Sequence, residues 1–172
     1  MKAGLWTIVT SGALGLSLGA LGTVVLFSPE SLQAAAKHEP PYWASIAARS
    51  ALLRTGPGTN FPARWRYVRT GMPLRVVQMY QDWRRVRDPD GTEGWMRSNL
   101  LSDQRTGMVT GETRPLYTAP GGSEVVARAE AGVIGRISRC ESGWCRFETH
   151  GRTGYIEEGG LWGVDPDETF DH

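Results

Sequence analysis

The sequence predicts an all-β protein built from two copies of one small module. A repeat aligns Gly71–Leu74 with Gly132–Gly135, and Trp83–Val86 with Trp144–Phe147, at an offset of 61 residues. Each copy contains short runs of alternating polar and apolar residues that are separated by turn-forming residues. No segment after the N-terminus has the periodicity of an amphipathic helix. A module of about 60 residues can enclose one small core and little more.

An apolar segment precedes the repeats. Met1 and Lys2 lead into Leu5–Phe27, which contains no charged residue, and the small residues Ala34–Ala36 follow. A basic start, an apolar run and a small-residue site are typical of an export signal. The run of 23 residues is also long enough to span a bilayer as a helix. We predict a signal peptide or membrane anchor over residues 1–36 and a periplasmic or other extracytoplasmic location, with cleavage and anchoring left open.

The rest of the chain divides by composition. Residues 37–42 form a predicted linker, because two consecutive prolines oppose regular structure there. The first module covers residues 43–103, with Trp43–Ala47 as its first strand, and the second module covers residues 104–164. The acidic tail of residues 165–172 carries four acidic residues and no basic one, and we predict that it is disordered.

Turn residues mark the order of strands within each module. In the first module the loop Thr55–Asn60 and the turn Asp88–Gly91 separate extended segments. The predicted extended segments are Trp43–Arg49, Ala51–Arg54, Arg64–Arg69, Leu74–Tyr80, Trp83–Arg87, Gly94–Met96 and Leu100–Leu101. The second module repeats this order, with Ala119–Gly122 as its early loop. Strands this short, joined by tight turns, predict a strongly bent half-open barrel rather than a large sandwich.

The two cysteines flank a hairpin connection. Cys140 and Cys145 enclose Glu141–Trp144, so the strand pairing places them opposite one another and favours a disulfide, especially after export. One alternative is a metal site formed with His150, but it lacks a fourth ligand. A second alternative pairs Cys145 with His150 as nucleophile and base, but two small modules leave no chain for a deep catalytic cleft. We therefore predict a disulfide, no metal, no cofactor and no catalytic residue.

Several motifs of the first module resemble the bacterial SH3-like (SH3b) domain. They are Leu53–Pro62, Gly71, Trp83–Val86 and Asp90–Trp95. The flanking segments Tyr42–Ile46 and Leu161–Val164 are similar to a tandem, exported subgroup found in proteobacteria. The resemblance covers residues 42–164 and is weaker in the second module, where Leu116–Pro120 replaces the Arg-x-Gly-Pro motif. It implies two tandem SH3-like half-open β-barrels with a binding role, since SH3b domains elsewhere attach cell-wall enzymes to peptidoglycan or its peptides.

Arginine and aromatic residues of the first module are the candidate ligand-binding residues. They are Arg54, Arg64, Trp65, Arg66, Tyr67 and Tyr80. Aromatic faces suit sugars and peptides, and guanidinium groups suit the carboxylates of stem peptides. Alternation along the strand leaves open whether Trp65 and Tyr67 face the core or a groove. The remaining aromatic residues are predicted to lie in the cores, namely Trp83, Trp95, Trp144, Tyr155 and Trp162.

These observations predict a non-catalytic, exported binding protein. The predicted partner is peptidoglycan or its stem peptides. The alternative is a periplasmic adaptor for protein–protein interaction, anchored at the inner membrane if residues 5–27 are retained. Membrane contact is predicted only through that segment. The formal net charge of +1 and the extracytoplasmic location argue against nucleic acid as a partner.

Overall fold

A computed structural model describes residues 38–171 of the chain, and the predicted N-terminal helix, signal peptide or anchor lies outside the described residues. In the described range, fifteen strands form two antiparallel sheets, which confirms the all-β prediction. Two short 3₁₀ helices, Ser98–Leu100 and Glu158–Gly160, occupy equivalent places in the two sheets. Within residues 38–171, no helix has the length and apolar character needed to cross a membrane.

The first sheet contains seven strands and begins with the predicted first strand. Its strands are β1 (Tyr42–Ile46), β2 (Ala51–Arg54), β3 (Ala63–Tyr67), β4 (Pro73–Tyr80), β5 (Trp83–Arg87), β6 (Glu93–Arg97) and β7 (Leu101–Ser102). Their spatial order is β3-β2-β6-β5-β4-β1-β7. β1 pairs with both β4 and β7 within this sheet. β3 lies at one edge of the sheet.

The second sheet repeats this order. Its strands are β8 (Thr106–Val109), β9 (Arg114–Tyr117), β10 (Val125–Ala129), β11 (Ile134–Glu141), β12 (Trp144–Thr149), β13 (Arg152–Glu157) and β14 (Leu161–Trp162), with β15 (Phe170–Asp171) added beside β11. The spatial order β10-β9-β13-β12-β11-β8-β14 matches that of the first sheet strand for strand. Cys140 and Cys145 lie opposite each other in the β11–β12 hairpin and form the predicted disulfide, with 4.1 Å between their Cα atoms.

Each sheet encloses its own apolar core. The first core includes Ile46, Leu53, Leu74, Val76, Val86 and Met96. The second core includes Leu116, Ile137, Phe147, Ile156 and both cysteines. Burying side chains of this size contributes about 1.5–3 kcal/mol each. Two separate cores agree with two repeats of one module.

Of the five aromatic residues predicted to lie in the cores, only Trp83 is buried, and the prediction was wrong for Trp95, Trp144, Tyr155 and Trp162, which are half-buried and belong to neither core cluster. Successive side chains of a strand point to opposite faces of the sheet. Val86 and Met96 face the first core, so Trp83 and Trp95 face outward on β5 and β6. The same alternation places Trp144 and Tyr155 on the outer face of the second sheet, opposite to Phe147 and Ile156.

Polar contacts join the two sheets at the start of β8. The Thr106 hydroxyl donates to the carbonyl oxygen of Gly71 at 2.7 Å, and the Ser45 and Thr106 hydroxyl oxygens are 2.6 Å apart. Trp162 of the second sheet donates its indole N–H to the carbonyl of Pro73 at 3.1 Å. Its ring meets that of Trp43 edge to face, with 5.0 Å between ring centroids. Trp162 therefore contributes to the junction of the two sheets.

The acidic C-terminal segment is ordered over residues 165–171, so the prediction that this part is disordered was wrong. Asp165 accepts a 2.7 Å hydrogen bond from Arg75, which connects the segment to the first sheet. Phe170 and Asp171 pair with β11 as the added strand. Arg75 of the first sheet thus pairs with one of the acidic side chains that would otherwise keep the segment solvated.

Candidate functional site

A groove opens in the first sheet where two neighbouring strands separate. β2 meets β6 at the residue pair Arg54–Trp95. The adjoining groove encloses about 270 Å³ and lies between β2–β3 on one side and β5–β6 on the other. Ser50 and Thr59 contribute hydroxyl groups to its lining.

The floor of the groove is apolar. It is lined by Leu52, Trp83 and Leu100. Trp83 is only 7% exposed, although it faces away from the core. The guanidinium carbon of Arg97 lies 5.7 Å from its ring centroid, within the distance of a cation–π contact. Arg97 therefore covers part of the indole that forms the floor.

Three arginines line the same groove, namely Arg54, Arg66 and Arg97. Arg54 is held in place because its Nη1 donates to the carbonyls of Thr59 and Phe61, at 3.2 and 2.7 Å. These bonds also fix the early loop. Within residues 38–171, neither Arg66 nor Arg97 forms a salt bridge, and no carboxylate lines the groove. The site therefore combines a local positive charge with an apolar floor.

The structure brings together only part of the predicted ligand-binding set. Arg54 and Arg66 line the groove, whereas Arg64, Trp65 and Tyr80 do not. Trp65 lies on the edge strand β3, where it pairs with Leu53 of β2, and it is 59% exposed. Tyr80, at the end of β4, is 51% exposed. The sequence reasoning missed Arg97 as a contributor, although period-2 alternation from the core-facing Gly94 and Met96 places it on the outer face.

Tyr67 has a structural contact instead. Its hydroxyl donates to Oδ2 of the buried Asp88 at 2.8 Å. Oδ1 of the same carboxylate accepts the backbone N–H groups of Asp90 and Thr92, which closes the β5–β6 turn. Burial of the Tyr67 phenol raises its pKa, and the hydrogen bond to Asp88 and the nearby negative charges raise it further. Tyr67 thus remains a neutral hydrogen-bond donor that anchors the edge strand to this turn.

Comparisons with known proteins agree with the duplicated architecture. The bacterial SH3 domain family matches residues 47–103 and again residues 111–163. The chain belongs to the bacterial SH3 domain family. No curated protein matches the chain.

Two solved structures have partial similarity to the chain. They are NlpC2 and NlpC1 from Trichomonas vaginalis, with 13% and 14% sequence identity and a TM-score of 0.34 in each case. The alignments cover 73% and 74% of this chain, and 49% and 48% of the two structures. The chain therefore spans about half the length of these structures.

The second bacterial SH3 domain does not repeat the cationic groove. The register pair Tyr117–Tyr155 takes the place of Arg54–Trp95. Glu157 pairs with Trp144, as Arg97 pairs with Trp83 in the first domain. The register thus makes four pairs of positions equivalent in the two domains, namely Arg54 and Tyr117, Arg66 and Arg128, Trp83 and Trp144, and Arg97 and Glu157. Two of the three groove arginines are thus replaced, one by an aromatic residue and one by an acid.

The disulfide of the second SH3 domain bears on the metal and nucleophile alternatives. Cys140 and Cys145 are bonded to each other and fully buried, so neither carries the thiolate that those alternatives require. Among residues 38–171, no three His, Cys, Asp or Glu side chains lie close enough together to hold a metal ion. The groove of the first SH3 domain therefore remains the leading candidate site.

Proposed function

We propose that this chain is a non-catalytic, exported binding module whose first SH3 domain recognises the peptide carboxylates of peptidoglycan. Its membership of the bacterial SH3 family supports a cell-wall-binding role. The observation that carries the finer proposal is the groove in which Arg54, Arg66 and Arg97 surround an apolar floor. An occupant of this groove needs at least one anionic group together with an apolar surface.

A short peptide with free carboxylates meets both requirements. A guanidinium group can donate two parallel hydrogen bonds to one carboxylate, which gives direction as well as charge. Arg54 is already oriented by the carbonyls of its loop, so it loses little side-chain freedom on binding. The aliphatic part of the peptide would cover Leu52 and Trp83. The ligand is thus an acidic, partly apolar peptide.

The chemistry of the second domain supports the proposed export. A buried disulfide persists in oxidising compartments and is rare in the cytosol. The uncharged run from Leu5 to Phe27 would supply the export signal or an inner-membrane anchor. The periplasm, where peptidoglycan lies, is the location that we propose.

A sedimentation assay tests the proposal. Purified chain is mixed with peptidoglycan sacculi, either intact or stripped of stem peptides by an amidase. We expect binding to intact sacculi that weakens with salt, because exposed charges are screened. Arg66→Ala and Arg97→Ala should each reduce binding about tenfold. Arg64→Ala removes the same charge from the same strand as Arg66, outside the groove, and should retain binding.

Two outcomes would contradict the proposed site. Equal loss in Arg64→Ala and Arg66→Ala would move the contact from the groove to the exposed edge strand. Equal binding to intact and stripped sacculi would exclude the peptides as the ligand.

The alternative function is an adaptor that binds a periplasmic protein. The exposed apolar residues near the edge strand favour it, since Trp65 is 59% exposed and Val68 is 69% exposed. Edge strands offer unpaired backbone groups to a partner strand. In cells, a photocrosslinker at position 65 that captures protein, combined with no sedimentation with sacculi, would favour the adaptor.

A further inference from the structure

The outer face of the second SH3 domain carries a cluster of three aromatic side chains, Tyr117, Trp144 and Tyr155, which we call the aromatic cluster. The rings of Tyr117 and Trp144 meet edge to face, with centroids 5.6 Å apart and an interplanar angle of 78°. Tyr155 is the register partner of Tyr117 on the adjacent strand. All three side chains are half-buried, so part of each ring is accessible to a ligand. The first domain has Arg54, rather than an aromatic residue, at the place of Tyr117.

Two cavities adjoin the aromatic cluster, and each encloses about 210 Å³. Trp144 and Tyr155 line the first cavity together with Pro120, Arg139, Glu141 and Ser142. Tyr117 lines the second cavity together with Arg114, Pro115, Ile156 and Glu157. Typical pockets for complete small molecules are larger, roughly 300–1,000 Å³. Two small cavities beside one aromatic cluster suit successive ring-sized units of an oligomer.

The polar groups of the cavities favour a neutral ligand. Each cavity contains one arginine and one glutamate, namely Arg139 with Glu141 and Arg114 with Glu157. Arg139 donates to Glu141 at 2.6 Å, so their charges cancel locally. Each cavity thus offers both donors and acceptors without a net charge. This balance is opposite to the uncompensated positive charge of the groove in the first domain.

We propose that the aromatic cluster binds a neutral oligosaccharide, with sugar rings stacked on Tyr117, Trp144 and Tyr155. A sugar hydroxyl both donates and accepts hydrogen bonds, so it can use the arginine and the glutamate of each cavity. The apolar face of a sugar ring covers an aromatic face that water would otherwise contact. A proline-rich peptide fits less well, because proline lacks an N–H and its carbonyls cannot bond to glutamate oxygens.

This site goes beyond the proposed peptide groove, and it can be tested separately. The probe is a tetramer of N-acetylglucosamine, which carries neither a peptide nor a carboxylate. Binding to the purified chain is measured by isothermal titration calorimetry. We expect saturable binding that falls about tenfold or more in Tyr117→Ala and Trp144→Ala, since aromatic contacts dominate such sites. Trp65→Ala removes an exposed indole from the other domain, outside the aromatic cluster, so it should retain binding.

If Trp144→Ala does not fold, Tyr117→Ala and Glu157→Gln still test whether the aromatic cluster binds the tetramer. Near-UV circular dichroism first verifies that both variants keep their native packing. Glu157→Gln keeps the side-chain shape, and it should weaken binding because one oxygen acceptor becomes a donor. Absence of binding by the unaltered chain would overturn the proposal, as would unchanged binding in both variants. Binding of a decaproline peptide with the same variant dependence, and no binding of the tetramer, would assign the cluster to a proline-rich partner.

Discussion

Arg105 and Glu168 form a two-point ion pair that holds the C-terminal segment (residues 165–171) against the second sheet. Arg105 donates from Nη1 to Oε1 at 2.7 Å and from Nη2 to Oε2 at 2.9 Å. Its guanidinium carbon also lies 4.4 Å from the ring centroid of Phe170. The Arg105 and Glu168 side chains are 13% and 21% exposed, so solvent screens the pair only in part. One arginine thus contacts both the acidic and the aromatic part of this segment.

Loss of the Glu168 carboxylate should destabilise the protein. Glu168→Ala leaves Arg105 partly buried without its partner, and we expect the free energy of unfolding to fall by about 2 kcal/mol. Urea denaturation at neutral pH measures this change. Glu141→Ala breaks the exposed ion pair with Arg139 and serves as the control, with no expected shift of the denaturation midpoint. Equal midpoints for the two variants would show that the Arg105–Glu168 ion pair contributes no more to stability than an exposed one.

The same ion pair predicts a loss of stability in acid. Burial alone would raise the pKa of Glu168, but hydrogen bonds from Arg105 and from the backbone N–H of Asp165 outweigh it and lower the pKa below its ordinary value of 4.5. The unfolded chain therefore binds this proton more readily than the folded chain. The contribution of Glu168 is present above the unfolded pKa and is lost as the pH falls through the folded pKa.

Comparison with a variant that cannot titrate isolates this effect. Glu168→Gln should be less stable than the unaltered chain at about pH 7, and the difference should shrink towards about pH 3. Urea midpoints of both proteins across this range provide the measurement. A difference that stays constant with pH would mean that the carboxylate of Glu168 is not stabilised by charge.

Removal of the disulfide should weaken the second SH3 domain selectively. The Cys140–Cys145 bond closes the short β11–β12 hairpin connection, and both cysteines lie in the second core. The double substitution of both cysteines by alanine should cost about 2 kcal/mol through the greater freedom of the unfolded chain. Hydrogen exchange read by mass spectrometry should reveal faster exchange in β11 and β12 and little change in β4 and β5. A uniform increase in both domains would instead indicate that they unfold as one cooperative unit.

Much of the fold could be predicted because a repeat and a period-2 pattern are local signals. The 61-residue offset identified two modules, and the spacing of Cys140 and Cys145 in a hairpin identified the disulfide. The aromatic residues were misplaced because alternation separates two faces without saying which one is buried. Trp144 is the largest residue of its strand, yet it is only half-buried on the outer face, and the smaller Cys145 and Phe147 of the same strand fill the core.

The contacts of the C-terminal segment and the composition of the groove depend on distant residues. The segment looks like a solvated tail until Arg75 of β4 and Arg105, which directly precedes β8, are brought to it. Arg97 enters the groove because β6 lies beside β2, which follows from the sheet order and not from the local sequence. Arg54 and Arg66 could be proposed from composition alone, but composition gave no means of separating Arg66 from Arg64 on the same strand.

The repeated glycine of the β6 and β13 strands gives a last prediction. Gly94 and Gly154 occupy equivalent positions, and each lets its strand approach the neighbouring strand β2 or β9. A Cβ atom at Gly94 would lie 2.6 Å from Leu53 Cγ and 2.8 Å from the Arg54 carbonyl oxygen. At Gly154 it would lie 2.9 Å from Leu116 Cβ and 3.0 Å from the Tyr117 carbonyl oxygen. Backbone and core atoms cannot move aside easily, so Gly94→Ala and Gly154→Ala should each lower the free energy of unfolding by about 3 kcal/mol.

Gly159→Ala is the matched control, because its Cβ would meet no atom within 4 Å. Its free energy of unfolding, measured by thermal unfolding, should change by no more than about 0.5 kcal/mol. Similar losses at all three positions would mean that close strand approach is not the reason for glycine at positions 94 and 154.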